Sequence, residues 1–256
     1  MNLTNNDIIT DDNYFQDIEY ISSSMIKRAL EGSKKHFDYA MNNPVESEAF
    51  IVGSAFHCMM LEPELFDKLC AFEPAVDRRT KAGKEYIAEW KEENKDVPNH
   101  IPGKYESMLE GMKESLNNHP TYNELIKDGV GNREEILLFE HQKVKCKAKV
   151  DYYNEDYIVD IKTCASVKTL DVVDAIKKYL YHVQAAFYLE SKEEFKKFFF
   201  VFIEKKAPYD VLIINFEGGL EDGKKCIEAG IQNIITFREV TDQGPMYAAF
   251  NQIVTI

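Results

Sequence analysis

Asp151 stands in the segment Lys149-Val150-Asp151-Tyr152-Tyr153, and Asp160 and Lys162 follow in Ile158-Val159-Asp160-Ile161-Lys162-Thr163. Both segments are rich in β-branched and aromatic residues, and Asn154-Glu155-Asp156 between them has the composition of a turn, so the pattern predicts a hairpin. In that hairpin Asp151 lies almost opposite Asp160, with Cβ atoms roughly 5 Å apart, close enough for both carboxylates to hold one cation. Residues two apart on a strand share a face, so Lys162 joins Asp160, while the Ile161 side chain turns to the core and its carbonyl stays beside the cation. Two carboxylates, a backbone oxygen and an ammonium make a hard-oxygen site suited to Mg²⁺ or Mn²⁺. The chemistry of such a site is phosphodiester hydrolysis, with the lysine orienting water and offsetting developing charge. Asp-x-Lys alone also occurs on ordinary solvated hairpins, so the rest of the chain decides its weight.

The elements that must position these residues are legible in outline. Ser22-Ser23-Ser24 precedes Met25, Ile26, Ala29 and Leu30 as an N-capped helix. A second helix is predicted from about Glu46 to Leu61, with Phe50, Gly53, His57 and Met60-Leu61 near one face and Pro63 ending it. A short strand falls within 65–73, and 81–125 reads as helices broken at Pro98, Pro102 and Pro120. After Gly131 come strands near 135–140, 145–153 and 157–163, a helix over 169–190, strands at 197–204 and 209–216, and a helix over 220–238. This order predicts an α/β (α+β) domain with a mixed sheet. The expected organisation is a loosely held polar segment over 1–20 and one domain over 21–256, with a helical half at 21–130 and a sheet core at 131–256. No glycine-rich phosphate loop is present, which argues against a nucleoside-triphosphate or dinucleotide enzyme.

The 256 residues carry 31 Lys+Arg against 44 Asp+Glu, a formal charge of −13, and are 45% apolar. That composition is globular and excludes disordered, collagenous and disulfide-scaffold classes. It argues against coating nucleic acid by bulk charge, though not against a local basic track. Cys58, Cys70, Cys146, Cys164 and Cys226 are odd in number, scattered and without CxxC, and so read as reduced thiols rather than zinc or iron–sulfur ligands. The N-terminus has acids where a signal peptide needs a basic and then an apolar run, and the Phe198–Ile203 run is too short to span a bilayer. The expectation is a cytoplasmic protein with no membrane association. Positive charge concentrates at Arg78, Arg79, Lys81 and Lys84, where Arg forks match phosphate geometry, although a solvated loop reads equally well. Lys143, Lys145, Lys147 and Lys149 alternate along one strand, as a backbone track or as one wet face.

Two flanking segments, Val52-Gly53-Ser54-Ala55-Phe56-His57-Cys58 and Tyr179-Leu180-Tyr181-His182-Val183-Gln184-Ala185-Ala186-Phe187-Tyr188, extend the pattern. With them the chain resembles the PD-(D/E)xK nuclease superfamily in its RecB-like branch, whose G-x-x-x-H helix, Asp, D-h-K strand and Q-x-x-x-Y helix follow in this order. Ser22–Lys27, Gly53–Pro63, Arg79–Lys84 and Tyr181–Tyr188 are similar to the RecE-type (exonuclease VIII) phage exonucleases. The resemblance covers roughly residues 20–215. It implies a restriction-endonuclease-like core with helices flanking a mixed sheet. It implies His57, Asp151, Asp160 and the Ile161 carbonyl as metal ligands, and Lys162 as the catalytic lysine. Gln184 and Tyr188, one turn apart on a helix face, would hold the scissile strand or a water, unless they simply belong to the core with Val183, Ala186 and Phe187. Arg78, Arg79, Lys81 and Lys84 would grip a DNA end. Gly53 would let its helix approach the sheet. Glu135, next to Glu134, would reach a second metal or the attacking water, or else solvent. The implied activity is Mg²⁺- or Mn²⁺-dependent digestion of linear double-stranded DNA from its ends, 5′→3′, leaving 3′ single strands for recombination in a bacterial or phage-infected cytoplasm. A ring-like homo-oligomer and a single-strand-annealing partner come with it. The rivals are a Cas4-like enzyme or an endonuclease of the same superfamily, and a catalytically silent DNA-end-binding protein. Cas4-like members carry a cysteine cluster that this chain lacks, and a silent protein has no need of Asp151, Asp160 and Lys162 together.

Overall fold

The computed structural model describes residues 9–240 apart from 11, 12, 15, 45 and 46. Ile21–Ser22 forms the short strand β1, and the Ser22 hydroxyl accepts from the Met25 N–H to cap α1 (Ser23–Glu31). After α2 (Lys34–Asn42), Ser47 accepts from the Phe50 N–H and starts α3 (Glu48–Leu61), which ends before Pro63. The short α4 (Phe66–Leu69) leads into β2 (Cys70–Glu73), which pairs in parallel with β3 (Asn99–Pro102). Between them lies α5 (Lys81–Glu93), capped by the Thr80 hydroxyl on the Gly83 N–H. Helices α6 (Glu106–Asn117) and α7 (Pro120–Tyr122) complete the helical half.

The main sheet is built from β1, β4 (Asn132–His141), β5 (Val144–Tyr153), β6 (Tyr157–Cys164), β7 (Lys197–Glu204) and β8 (Val211–Asn215). Its order is β1-β5-β6-β7-β8, with β4 antiparallel to β5 on that strand's other edge. β5–β6 and β7–β8 are antiparallel, and β1–β5 and β6–β7 are parallel, so the sheet is mixed as the sequence predicts. A parallel pair needs a crossover, which α8 (Thr169–Lys178) and α9 (Tyr181–Leu189) supply, and α10 (Leu220–Glu239) closes the described chain.

Each face of the sheet has its own apolar core. Phe198, Phe200 and Phe202 of β7 pack with Phe187 and Ile227 under α1, α9 and α10. Val201 and Ile203 alternate with them onto the other face, where Phe56, Leu61, Leu109 and Met112 of α3 and α6 lie. Burial on both faces explains why β7 is an unbroken apolar run instead of an alternating one.

Three expectations need correction here. The helix predicted over 169–190 is two helices, because Leu180 takes a left-handed conformation (φ 51°) and redirects the chain. A leucine there costs about 1–2 kcal/mol, offset by its packing against the core. The segment 1–20 was expected to be loosely held. Residues 1–8 lie outside the described residues, but Tyr14 and Tyr20 are buried, and the Tyr14 and Asp17 carbonyls accept from Lys147 Nζ at 2.5 and 2.6 Å. Lys147, expected on a wet face or a phosphate track, is therefore internal (1% exposed) and pins this segment to the sheet.

The approach of α10 to α9 depends on Gly223. A Cβ there would stand 2.5 Å from the His182 carbonyl oxygen and 2.8 Å from Ala186 Cβ. Gly223→Ala is therefore expected to lower unfolding stability by about 1–3 kcal/mol, measured by urea denaturation, because two packed helices must separate.

Candidate active site

Between β5 and β6 only Tyr152–Val159 and Tyr153–Ile158 pair. The same register sets Asp151 against Asp160, but the ladder stops one pair short of them. There the Ile161 N–H donates to Asp151 Oδ2 at 2.7 Å instead of to a backbone carbonyl. On the other edge of β5, Glu134 lies opposite Asp151 with a left-handed φ of 49°, and this pair too is missing from an otherwise regular ladder. Cys146, Ala148 and Val150 face one core and Tyr152 the other, so the alternation of β5 slips a face at Asp151. A left-handed glutamate inside a strand is strained, and such strain gathers at working sites.

Helix α3 brings His57 over this break. Its Nε2 stands 2.9 Å from the Ile161 carbonyl, and its Nδ1 is 3.5 Å from Asp151 Oδ2 and 3.7 Å from Glu134 Oε1. Burial works against charge on the ring, but the Asp151 and Glu134 carboxylates outweigh it and raise the imidazole to about 10. For Asp151, burial pushes upward and is overcome by His57, Lys162 and the Ile161 N–H, so its carboxyl sits below the ordinary range. Glu134 Oε2 pairs with Lys149 at 3.2 Å, whereas Oε1 is buried and has no hydrogen-bond partner among the described residues.

Asp160 belongs to a second group. It is 1% exposed, Gln184 Nε2 donates to its Oδ1 at 2.6 Å, and Lys162 Nζ lies 2.5 Å from its Oδ2 as an ion pair without hydrogen-bond alignment. Burial raises its carboxyl to about 6 against the pull of Lys162, with Asp151 adding to the rise. Burial also lowers Lys162, but Asp160 and Asp151 win and leave it above the ordinary lysine range. The Tyr181 ring lies under Lys162 at 5.1 Å.

The donor atoms of His57, Glu134 and Asp151 lie within 4.8 Å of one another. Two carboxylates and one imidazole fit a divalent cation, and a buried carboxylate oxygen without a hydrogen bond, as Glu134 Oε1 is, is otherwise costly. Asp160 is not in this trio. The Ile161 carbonyl meets the ring nitrogen opposite the one facing the carboxylates, where it orients the imidazole. Both adjacent glutamates line an open groove of about 580 Å³, but Glu134 turns into the cluster while Glu135 is exposed.

The remaining candidates lie as follows. Gln184 reaches the site through Asp160. Tyr188 is buried in the core against Phe198, with its hydroxyl beside Ser23 and raised well above the ordinary range by burial. Arg78, Arg79, Lys81 and Lys84 are exposed on the β2–α5 connection and the start of α5. Arg78 pairs with the buried Glu73, Arg79 forks onto Asp77, and Lys81 lies 3.6 Å from Glu85, so part of their charge is met locally. Lys145 pairs with Glu19. Gly53 does not let α3 approach the sheet, because a Cβ there would meet nothing within 4 Å. With no clash to oppose the gain in helix propensity, Gly53→Ala is expected to raise stability by about 1 kcal/mol in thermal or urea unfolding.

Residues 22–248 match the PDDEXK-like domain of unknown function (DUF3799). The chain belongs to this family. The PDDEXK-like domain thus has the restriction-endonuclease-like core that its motif order implied. A solved structure from Eubacterium rectale, named provisionally as an exonuclease, is similar over 100% of this chain and 96% of its own, at 18% identity and a TM-score of 0.64. A phage-related exonuclease from Haemophilus somnus 129PT covers 65% of this chain and 90% of its own, at 14% identity and a TM-score of 0.35, too distant to argue from. No curated protein matches the sequence at a significant level. Family and fold together identify a nuclease-like domain. Among the described residues no single helix is long and apolar enough to cross a membrane.

Proposed function

We propose that this PDDEXK-like domain is a metal-dependent deoxyribonuclease that degrades linear double-stranded DNA from its ends. The observation that carries the reading is the meeting of His57, Glu134 and Asp151 with the Asp160–Lys162 pair where the β5–β6 ladder opens. His57, Glu134 and Asp151 would hold Mg²⁺ or Mn²⁺, with Asp160 near enough in sequence and space to join them. The cation would supply Lewis acidity toward a phosphodiester and make a nearby water more acidic.

The chain's own residues do the rest. The Ile161 carbonyl holds the His57 ring so that Nδ1 faces the carboxylates. The Ile161 N–H fixes one oxygen of Asp151. Lys162, kept charged by the two aspartates, orients the attacking water and offsets charge on the phosphorane-like transition state. Gln184 holds Asp160 from beneath. Arg78, Arg79, Lys81 and Lys84 are exposed cations offered to backbone phosphates, and Tyr188 supports the site from the core.

The 5′→3′ polarity, the 3′ single-stranded product, a role in recombination, a ring-like oligomer, a single-strand-annealing partner and a cytoplasmic setting belong to this proposal through the likeness to RecE-type enzymes. The test is incubation with linear and covalently closed duplex DNA of one sequence, in Mg²⁺, Mn²⁺ or chelator, with either 5′ or 3′ label. Loss of the linear form alone, only with metal and with early release of 5′ label, supports the proposal. Nicking of the closed form makes the enzyme an endonuclease, and intact DNA in every arm removes the nuclease reading.

A further inference from the structure

Lys27 lies on α1, outside the residues so far given a task, yet its ammonium ends beside them. Its Nζ donates to Gln184 Oε1 at 3.3 Å and to the Tyr179 carbonyl at 3.4 Å, and it sits 5.5 Å from the Tyr181 ring that also underlies Lys162. We propose that Lys27 is a positioning residue that sets the Asp160 carboxylate by fixing the direction of the Gln184 side-chain amide.

An amide end is nearly symmetric in shape, with an acceptor oxygen and a two-proton donor nitrogen. Turned one way, Gln184 presents Nε2 to Asp160. Turned the other way, it presents Oε1, acceptor against carboxylate. An ammonium has three donors and no acceptor, so Lys27 accepts only the first arrangement. In that arrangement Nε2 donates to Asp160 Oδ1 at 2.6 Å and Oδ2 is left toward Lys162.

The surroundings favour this role over a plain tie between helices. Gln184 is buried, so a wrongly turned amide has no water to relieve it. The Tyr179 carbonyl holding Lys27 belongs to the α8–α9 break, one residue before the left-handed Leu180, so the lysine is anchored where the chain is turned to aim α9 at the site. Burial lowers the Lys27 ammonium to about 8, with Lys162 adding to the fall and Asp160 opposing it, which puts Lys27 within the field of the same pair.

The consequence for turnover rests on Asp160 being a working carboxylate, and the experiment separates the two claims. Lys27→Met keeps the stem and removes the donors, Lys27→Arg keeps donors, and Gln184→Leu removes the relay. In wild type, ¹⁵N-glutamine labelling should give one Gln184 side-chain NH₂ with two well-separated, slowly exchanging protons. Lys27→Met should move both toward the positions of a free glutamine amide and speed their exchange with solvent, and Lys27→Arg should restore them. In DNA cleavage, Lys27→Met should lower kcat about 10- to 100-fold with KM nearly unchanged, as loss of a supporting shell does. The Lys27→Met/Gln184→Leu double variant should then be no slower than Gln184→Leu alone. An unchanged Gln184 NH₂ pattern in Lys27→Met, or multiplicative losses in the double variant, would overturn the proposal. If wild type cleaves no DNA while the NH₂ signature responds as described, the nuclease reading fails and the positioning role stands.

Discussion

Asp160→Asn yields a protein that is more stable without metal and slower at cleaving DNA by on the order of 10²–10³. Both effects come from the same burial. The folded state raises this carboxyl from 3.8 to about 6. A carboxyl raised on folding favours the native state while protonated. That contribution is whole below its unfolded value and is lost as pH rises through about 6. At pH 8 the ionised Asp160 therefore weighs against folding, by on the order of a few kcal/mol. Asparagine keeps an oxygen for Gln184 Nε2 but leaves Lys162 without its nearest counter-charge, so the net gain should be about 1–3 kcal/mol. Asp151, held below the ordinary range, contributes with opposite sign, and comparing variant with wild type at each pH removes its share. Urea unfolding in chelator should show the variant ahead at pH 8, its lead shrinking as pH falls through about 6 and gone only below the unfolded value of 3.8. A variant that is less stable at pH 8 would contradict the electrostatic account, and one that still cleaves at wild-type rate would take Asp160 out of the chemistry.

Glu134→Gln should weaken Mn²⁺ binding by about 100-fold or more, while Glu135→Gln leaves it within about twofold. Glu134 supplies one of the two carboxylates of the trio, and its Oε1 is the buried oxygen without a hydrogen-bond partner. Loss of an outer-shell partner already costs roughly 10–100-fold in metal affinity, so loss of a ligand charge should cost at least as much. Glu135 lines the same open groove but is exposed and is not in the trio. Isothermal titration with Mn²⁺ reads both variants directly. Equal losses in the two would mean that the local backbone, not the Glu134 carboxylate, matters.

The strands and the order of elements were legible because their signals are local. Tyr152, Tyr153, Ile158 and Val159 are strand formers around a polar turn, and the register they adopt sets Asp151 against Asp160 just beyond the last ladder pair. What escaped were backbone events with no residue signature. Leu180 and Glu134 take left-handed conformations that leucine and glutamate seldom adopt, so neither the helix break nor the choice of Glu134 over Glu135 could be read from residue type. Lys147 followed a wet-face pattern, yet carbonyls from residues 14 and 17 make it internal, a contact between distant parts of the chain. Gly53 carried a plausible packing role that the open space beside it removes. Lys27 lay inside a recognised stretch, but its task depends on a contact with Gln184 across the chain.

In the proposed function, His57, Glu134 and Asp151 hold the divalent cation on which DNA cleavage depends. Crystals of the protein grown with Mn²⁺ and measured for anomalous scattering test it most directly. One anomalous peak is expected about 2.1 Å from a carboxylate oxygen of both Glu134 and Asp151 and close to His57 Nδ1. That peak should vanish in Glu134→Gln crystals under the same conditions. A Mn²⁺ peak elsewhere in the molecule, with the space between these three residues vacant at saturating metal, would contradict it.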